Sequence, residues 1–190
     1  MVVDLFEKRK QDILTKQDKS SKKHFDEKIL KLCQKINRRK DYYTTSSCAG
    51  RVLIIIDADK KEHGLFLWVS HNLISFKELK RVLNEIAKQI SNNLIKFKQE
   101  PCILHVVCRN LRDAQALLDK AKLAGWKKLG MIASEKRFVC ELVGTEKLEF
   151  FIINKGKILV DDNYLKLIVK KSNENLKKSC FKIKKLDKLL

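Results

Sequence analysis

Apolar and polar positions follow two alternating rhythms along the chain. Val3, Phe6, Ile13 and Leu14 stand among charges and predict a helix over residues 3–16. Ile29, Cys33 and Ile36 share a helical face, with Leu32 beside it, and predict a second helix over 25–38. DKSSKKHFD (Asp18 to Asp26) is a polar connection between the two. The solid apolar run from Arg51 to Ile56 predicts a strand, DADKKEHG a turn, and LFLWVS (Leu65 to Ser70) its hairpin partner. Ser75 and Glu78 have the spacing of a capping box, and Phe76, Leu79, Val82, Leu83, Ile86 and Ile90 continue at helical intervals. Leu94 to Lys98 alternates as a strand until Pro101, which cannot donate to a ladder. Ile103 to Cys108 is a buried strand, and Asn110 caps a helix that ends at Gly125. Strand-like runs follow at 126–133, 137–143, 148–153 and 157–160. A last helix covers about 162–178 and leads into CFKIKKL, read as a short strand or tail. Helices alternate with strand pairs, which predicts an α+β fold with mixed sheets flanked by helices. That order allows a weak internal duplication, although no sequence repeat is visible.

A chain of 190 residues suits a single compact domain over 1–190, with residues 162–190 packed on it as a basic helix and tail. Hydrophobic residues make up 44% and charged residues 34%, so the chain can bury a core and remain globular. One Pro and six Gly leave no low-complexity linker. A net charge of +19 points first to nucleic acid as a partner, ahead of an anionic membrane. The N-terminus is charged by its fourth residue, unlike a secretory leader, and the apolar runs are too short to span a bilayer. These features predict a cytoplasmic protein without a membrane role. Six cysteines (33, 48, 102, 108, 140 and 180) form no CxxC pair, which predicts reduced thiols and no metal site.

Chemistry concentrates in DYYTTSSCAGR, Asp41 to Arg51. It reads as a loop feeding the apolar strand, with four successive hydroxyls at Thr44, Thr45, Ser46 and Ser47. Hydroxyls and backbone N–H groups around Gly50 suit a carboxylate, phosphate or ribose. Arg51 adds a planar anion clamp, and Tyr42 or Tyr43 a stacking ring for a base. An ordinary Ser/Thr-rich turn over packed aromatics has the same composition. WVSH (Trp68 to His71) ends the hairpin partner, which brings His71 toward the start of the Arg51–Ile56 strand. His71 has the intrinsic pKa of a proton acceptor, and an idle surface histidine is the competing reading. His105, inside an apolar strand, reads as a satisfied core residue. GxGxxG, GxxxxGK[ST], GxSxG and HExxH are all absent, which excludes a glycine-fingerprint Rossmann fold.

DYYTTSSCAGR resembles the TTSSCSGR signature of the tRNA wybutosine-synthesising protein 3 family. DKSSKKHFD resembles its D-x-S-x-K-G-x-x-D segment, WVSH its W-x-x-H, and EPCILHVVCRNLRDAQALLDKAKLAGWKKLGM its P-x-x-L-H-V and A-x-x-A-G segment. YLKLIVKKSNENL resembles its closing Y-L-x-x-L-V-x-x-x-N. The motifs occur in order from about residue 6 to residue 187. Lys23 stands where the family has glycine, and Ala49 where it has serine. The resemblance implies an S-adenosylmethionine-dependent tRNA methyltransferase, from an archaeon or eukaryote, that methylates N4 of the demethylwyosine-type base beside the anticodon of phenylalanine tRNA. A non-catalytic RNA-binding module and a methyltransferase on another tRNA base are the alternatives. The resemblance further implies a cofactor site at Thr45, Ser46, Ser47, Gly50 and Asp26 and catalytic roles for His71 and Ser46. Arg51, Tyr43, Lys22 and Trp68 would meet substrate, and no metal would be required.

Overall fold

The structure, a computed structural model, describes residues 4–15, 26–59 and 64–190. The segment holding Asp18, Ser20, Lys22 and Lys23 lies outside the described residues. Among the described residues, five helices and nine strands follow the order α1 (Leu5–Leu14), α2 (Glu27–Arg38), β1 (Tyr42–Cys48), β2 (Arg51–Ile56), β3 (Phe66–Ser70), α3 (Phe76–Gln89), β4 (Leu94–Glu100), β5 (Ile103–Cys108), α4 (Leu111–Leu123), β6 (Lys128–Ala133), β7 (Phe138–Val143), β8 (Leu148–Asn154), β9 (Lys157–Ile158) and α5 (Asp162–Leu189). The α+β class expected from the sequence is the one observed. Every strand pair is antiparallel, a more uniform pairing than the mixed sheets expected.

The chain divides into two compact units. The first contains residues 1–49, 102–145 and 180–190, and its sheet has the order β1-β5-β7-β6. Its core lies on one sheet face: Ile29, Leu32, Cys33 and Ile36 of α2, Leu117 and Ala121 of α4, and Ile183 and Leu186 of α5 pack over Leu104, Val106, Cys140 and Leu142. These apolar positions recur at helical spacing, so one stripe of each helix is buried. Gly125 ends α4 at φ +91°, where its N–H reaches the Lys122 carbonyl and the Trp126 N–H reaches that of Ala121. Such paired bonds satisfy carbonyls that a helix end leaves open. A smaller cluster on the opposite sheet face joins Tyr43, Val107 and Val139 to Phe6 and Ile13 of α1.

The second unit contains residues 50–101 and 146–179, with a sheet ordered β3-β2-β4-β8-β9. Val52, Ile54, Ile95, Phe97 and Ile152 meet α3 through Leu79, Leu83 and Ile86, and α5 through Leu165, Ile168 and Leu176. Ser75 and Glu78 form the predicted capping box of α3, each side chain bonding the other's backbone N–H. Asp161 caps α5 by accepting from the Tyr164 N–H at 2.8 Å.

Two elements differ from the sequence reading. TTSSC is not a loop but the end of strand β1, paired along its length with β5. The C-terminal segment is neither strand nor tail, because α5 runs unbroken to Leu189. Leu176, Ile183 and Leu186 continue its buried stripe, and no Gly or Pro interrupts it.

Candidate functional site

Register decides what the hydroxyl segment can do, because directly opposed residues project from the same sheet face. Tyr42, Thr44 and Ser47 oppose Cys108, Val106 and Leu104 and point toward the core under α2. Thr44 is buried, and its amide and hydroxyl both engage the Asn37 side chain of α2, the amide at 2.8 Å. Thr44 and Ser47 also touch the Cys33 thiol, whose pKa burial nonetheless pushes up, so that Cys33 stays a neutral packed sulfur. Burial likewise raises Tyr42 to about 12, and its hydroxyl donates to the Asp113 carbonyl at 3.1 Å.

Tyr43, Ser46 and Cys48 oppose Val107, His105 and Ile103 on the other face. A β-bulge between Thr44 and Ser46 resets the alternation and turns Thr45 out to solvent. The exposed hydroxyls of Thr45 and Ser46 have no protein partner among the described residues. Tyr43 departs from the expected base-stacking role. It is fully buried, and its ring rests against Phe6 at 5.2 Å between centroids, so α1 occupies the face a base would need.

Asp26 is the N-cap of α2, with one carboxylate oxygen accepting from the Lys28 N–H. The other oxygen accepts from the Ala49 N–H at 3.0 Å, tying the helix start to the end of the signature segment. That contact uses backbone, so it survives the serine-to-alanine difference at position 49. Gly50 adopts φ +106°, and a Cβ there would come within 3.0 Å of the Glu100 carbonyl oxygen. Glycine is required on both counts.

In the second unit, β2 and β3 form the predicted hairpin with Val52 opposite Ser70, so His71 follows directly beyond the start of β2. The Ser70 hydroxyl accepts from the Asn72 N–H at 3.2 Å. Asn173 of α5 grips the same loop with both amide atoms, accepting from the Ile74 N–H at 3.0 Å and donating to the Ile74 carbonyl at 2.8 Å. His71 is thus carried on a short loop fixed at both ends. Trp68 pairs with Ile54 and packs half-buried against the core, and Arg51 is engaged by Glu100 at 2.7 Å. Both make structural contacts and keep part of their surface in solvent. Lys22 lies outside the described residues.

Two groups received no site role in the sequence reading, although both stand in motifs that carry the resemblance. Asn173 is the asparagine that closes Y-L-x-x-L-V-x-x-x-N, and its place inside a helix, where asparagine ordinarily disfavours the element, was a second signal. His105 was taken as a core residue, yet it lies on the face away from the main core with Nε2 2.9 Å from Glu141. Only the β5–β7 register brings these two together, and that register is not local in sequence.

The comparisons agree with this architecture. Residues 8–190 match the family described as Methyltransferase TYW3. A relative in Archaeoglobus fulgidus is 34% identical over 165 residues, covering 85% of this chain and 81% of the relative. A second, in Methanocaldococcus jannaschii, is 35% identical over 158 residues, covering 81% and 80%. Both are named tRNA(Phe) 7-((3-amino-3-carboxypropyl)-4-demethylwyosine(37)-N(4))-methyltransferase. A mouse relative, named tRNA wybutosine-synthesizing protein 3 homolog, is 31% identical over 180 residues, covering 92% of this chain and 68% of its own. Among solved structures, the PH1069 protein of Pyrococcus horikoshii superposes with a TM-score of 0.85 at 29% identity, covering 96% of this chain and 92% of that one. The ordered motifs, the fold and the matched length lead to one conclusion: this chain is a methyltransferase and belongs to the TYW3 family.

Proposed function

We propose that this protein methylates N4 of the demethylwyosine-type tricyclic base next to the anticodon of phenylalanine tRNA, with S-adenosylmethionine as methyl donor. The observation that carries this reading is the match over four fifths of the chain to relatives named for that reaction. The residues present fit the donor. S-adenosylmethionine presents a carboxylate, an ammonium and a ribose, and its sulfonium supplies an electrophilic methyl group. Thr45 and Ser46 offer outward hydroxyls suited to its carboxylate or ribose, and Gly50 keeps the following backbone in the conformation it needs. Ser47 stands beside Cys33 and shapes the strand from below. The Asp26 carboxylate supplies the negative charge an ammonium requires, while its Ala49 contact fixes its orientation. The same hydroxyls could instead receive a tRNA phosphate.

Methyl transfer needs the accepting nitrogen in line with the methyl–sulfur bond, so positioning supplies most of the acceleration. His71, on its braced loop, orients the base or takes its N–H proton. The net charge of +19 supplies the phosphate attraction that tRNA binding needs. Ser46→Ala and His71→Ala should each lower turnover on precursor tRNA about tenfold or more while leaving the melting temperature within a few degrees. Wild-type turnover in both variants would defeat the placement. Among the described residues, no helix is long and apolar enough to cross a membrane.

A further inference from the structure

One transverse row on the first unit's sheet reaches beyond the residues that reading uses, sharing only Ser46 with it. Ser46 of β1 opposes His105 of β5, His105 opposes Glu141 of β7, and Glu141 opposes Gly130 of β6. The four residues therefore cross all four strands on one face, one from each strand. His105 Nε2 lies 2.9 Å from the Glu141 carboxylate, and both side chains keep about a quarter of their surface in solvent, 24% and 29%. Neither the second ring nitrogen of His105 nor the Ser46 hydroxyl has a protein partner among the described residues. Gly130 closes the row without a side chain, and a Cβ placed there would meet nothing within 4 Å. The next row is covered, because Phe6 and Ile13 of α1 lie over Tyr43, Val107 and Val139. The result is a partly exposed row with a hydroxyl, an imidazole and a carboxylate in line.

We propose that His105, held by Glu141, accepts the proton released from the base nitrogen during methyl transfer. This rests on the functional reading above and assigns the proton to His105 rather than to His71. When His105 is neutral, Glu141 accepts from Nε2–H, which fixes the tautomer with Nδ1 as the free acceptor. As the ring nitrogen bonds to the methyl carbon, the methyl–sulfur bond breaks and its electron pair stays on sulfur. The N–H proton passes to Nδ1, and the imidazolium formed is stabilised by Glu141 before it returns the proton to water. Ser46, on the neighbouring strand of the same row, keeps its proposed hold on the methyl donor beside the imidazole. Other titratable groups on this face are Cys48 and Lys128, in the row formed with Ile103 and Val143. From α1, Glu7 is committed to Arg109 and Lys10 to the Arg39 carbonyl.

The test uses the full chain with phenylalanine tRNA carrying the unmethylated precursor, in single-turnover transfer across the imidazole range of pH. The wild-type rate should rise with pH through one ionisation. Glu141→Gln should slow transfer about tenfold, and His105→Ala should abolish the rise and slow transfer roughly a hundredfold or more. His105→Gln guards against misfolding: it should be equally slow while binding tRNA and methyl donor as wild type does. A second readout needs no turnover. Imidazole nitrogen NMR of the free protein should place the neutral-form proton on Nε2. Wild-type transfer with an unchanged pH limb in His105→Ala, or a proton on Nδ1, would overturn the assignment. Absence of transfer by the wild type would overturn the functional reading and this assignment with it.

Discussion

Asn173 shows how much one side chain can set. It lies within a lysine-rich helix, yet its amide replaces both hydrogen bonds that the Ile74 backbone would otherwise seek from water. Asn173→Ala should cost about 1–3 kcal/mol in urea unfolding, the range for stranding buried backbone groups. It should also lower turnover, because the His71 loop loses its brace; Asn173→Asp, which keeps the acceptor and loses the donor, should fall between. Gly50 makes the same point through the backbone. Gly50→Ala combines a left-handed φ with a 3.0 Å approach to the Glu100 carbonyl oxygen, so a loss of about 1–3 kcal/mol is expected by the same measurement. The need for glycine at 50 was legible in the sequence. The Asn173 grip was not, since its partner lies 99 residues away. Tyr43 was misread for a related reason: an aromatic beside hydroxyls suits stacking on a base, and nothing local announces that Phe6 already covers it.

At the scale of elements, the reading succeeded where periodicity was long and punctuated. The capping box of α3, the Asn110 cap of α4 and its Gly125 stop were each written in local residue types. It failed at β1, where four hydroxyl residues look like a turn until β5, some 60 positions on, supplies the ladder. It also stopped α5 at about residue 178, because Phe181, Lys182, Ile183 and Lys184 alternate as in a strand, while the buried pair Ile183 and Leu186 keeps helical spacing. Helix α1 is the element most dependent on charge. Arg109 lies over the Phe6 ring at 4.5 Å, pairs with Asp4 at 2.6 Å and also binds Glu7. The Asp4–Arg109 hydrogen bond holds the Asp4 pKa below its ordinary 3.8. A depressed carboxylate stabilises the docked helix above 3.8 and loses that contribution as pH falls through the lower folded value. Protection of the α1 amides relative to their intrinsic exchange should therefore stay high at neutral pH and fall below 3.8, whereas Arg109→Ala should show low protection throughout. Equal protection in the variant would show that the Phe6–Tyr43 contact alone holds the helix.

For the whole molecule, the candidate residues fall in both units, each built from several stretches of the chain. Residues 1–49 and 102–145 carry the Thr45–Ser46 hydroxyls and the His105–Glu141 pair, while 50–101 carries His71. Composition indicated an anionic partner through the charge of +19, and motif order indicated the reaction class. Neither could show which hydroxyls face outward, because that depends on a bulge and a register fixed by distant strands. The central claim is methyl transfer to one tricyclic base, and one assay tests it most directly. Purified protein is incubated with methyl-labelled S-adenosylmethionine and two pools of phenylalanine tRNA, one carrying the unmethylated tricyclic precursor and one lacking it. Label entering only the precursor pool is the predicted result. Label in both pools, or in neither while tRNA still binds, would contradict it.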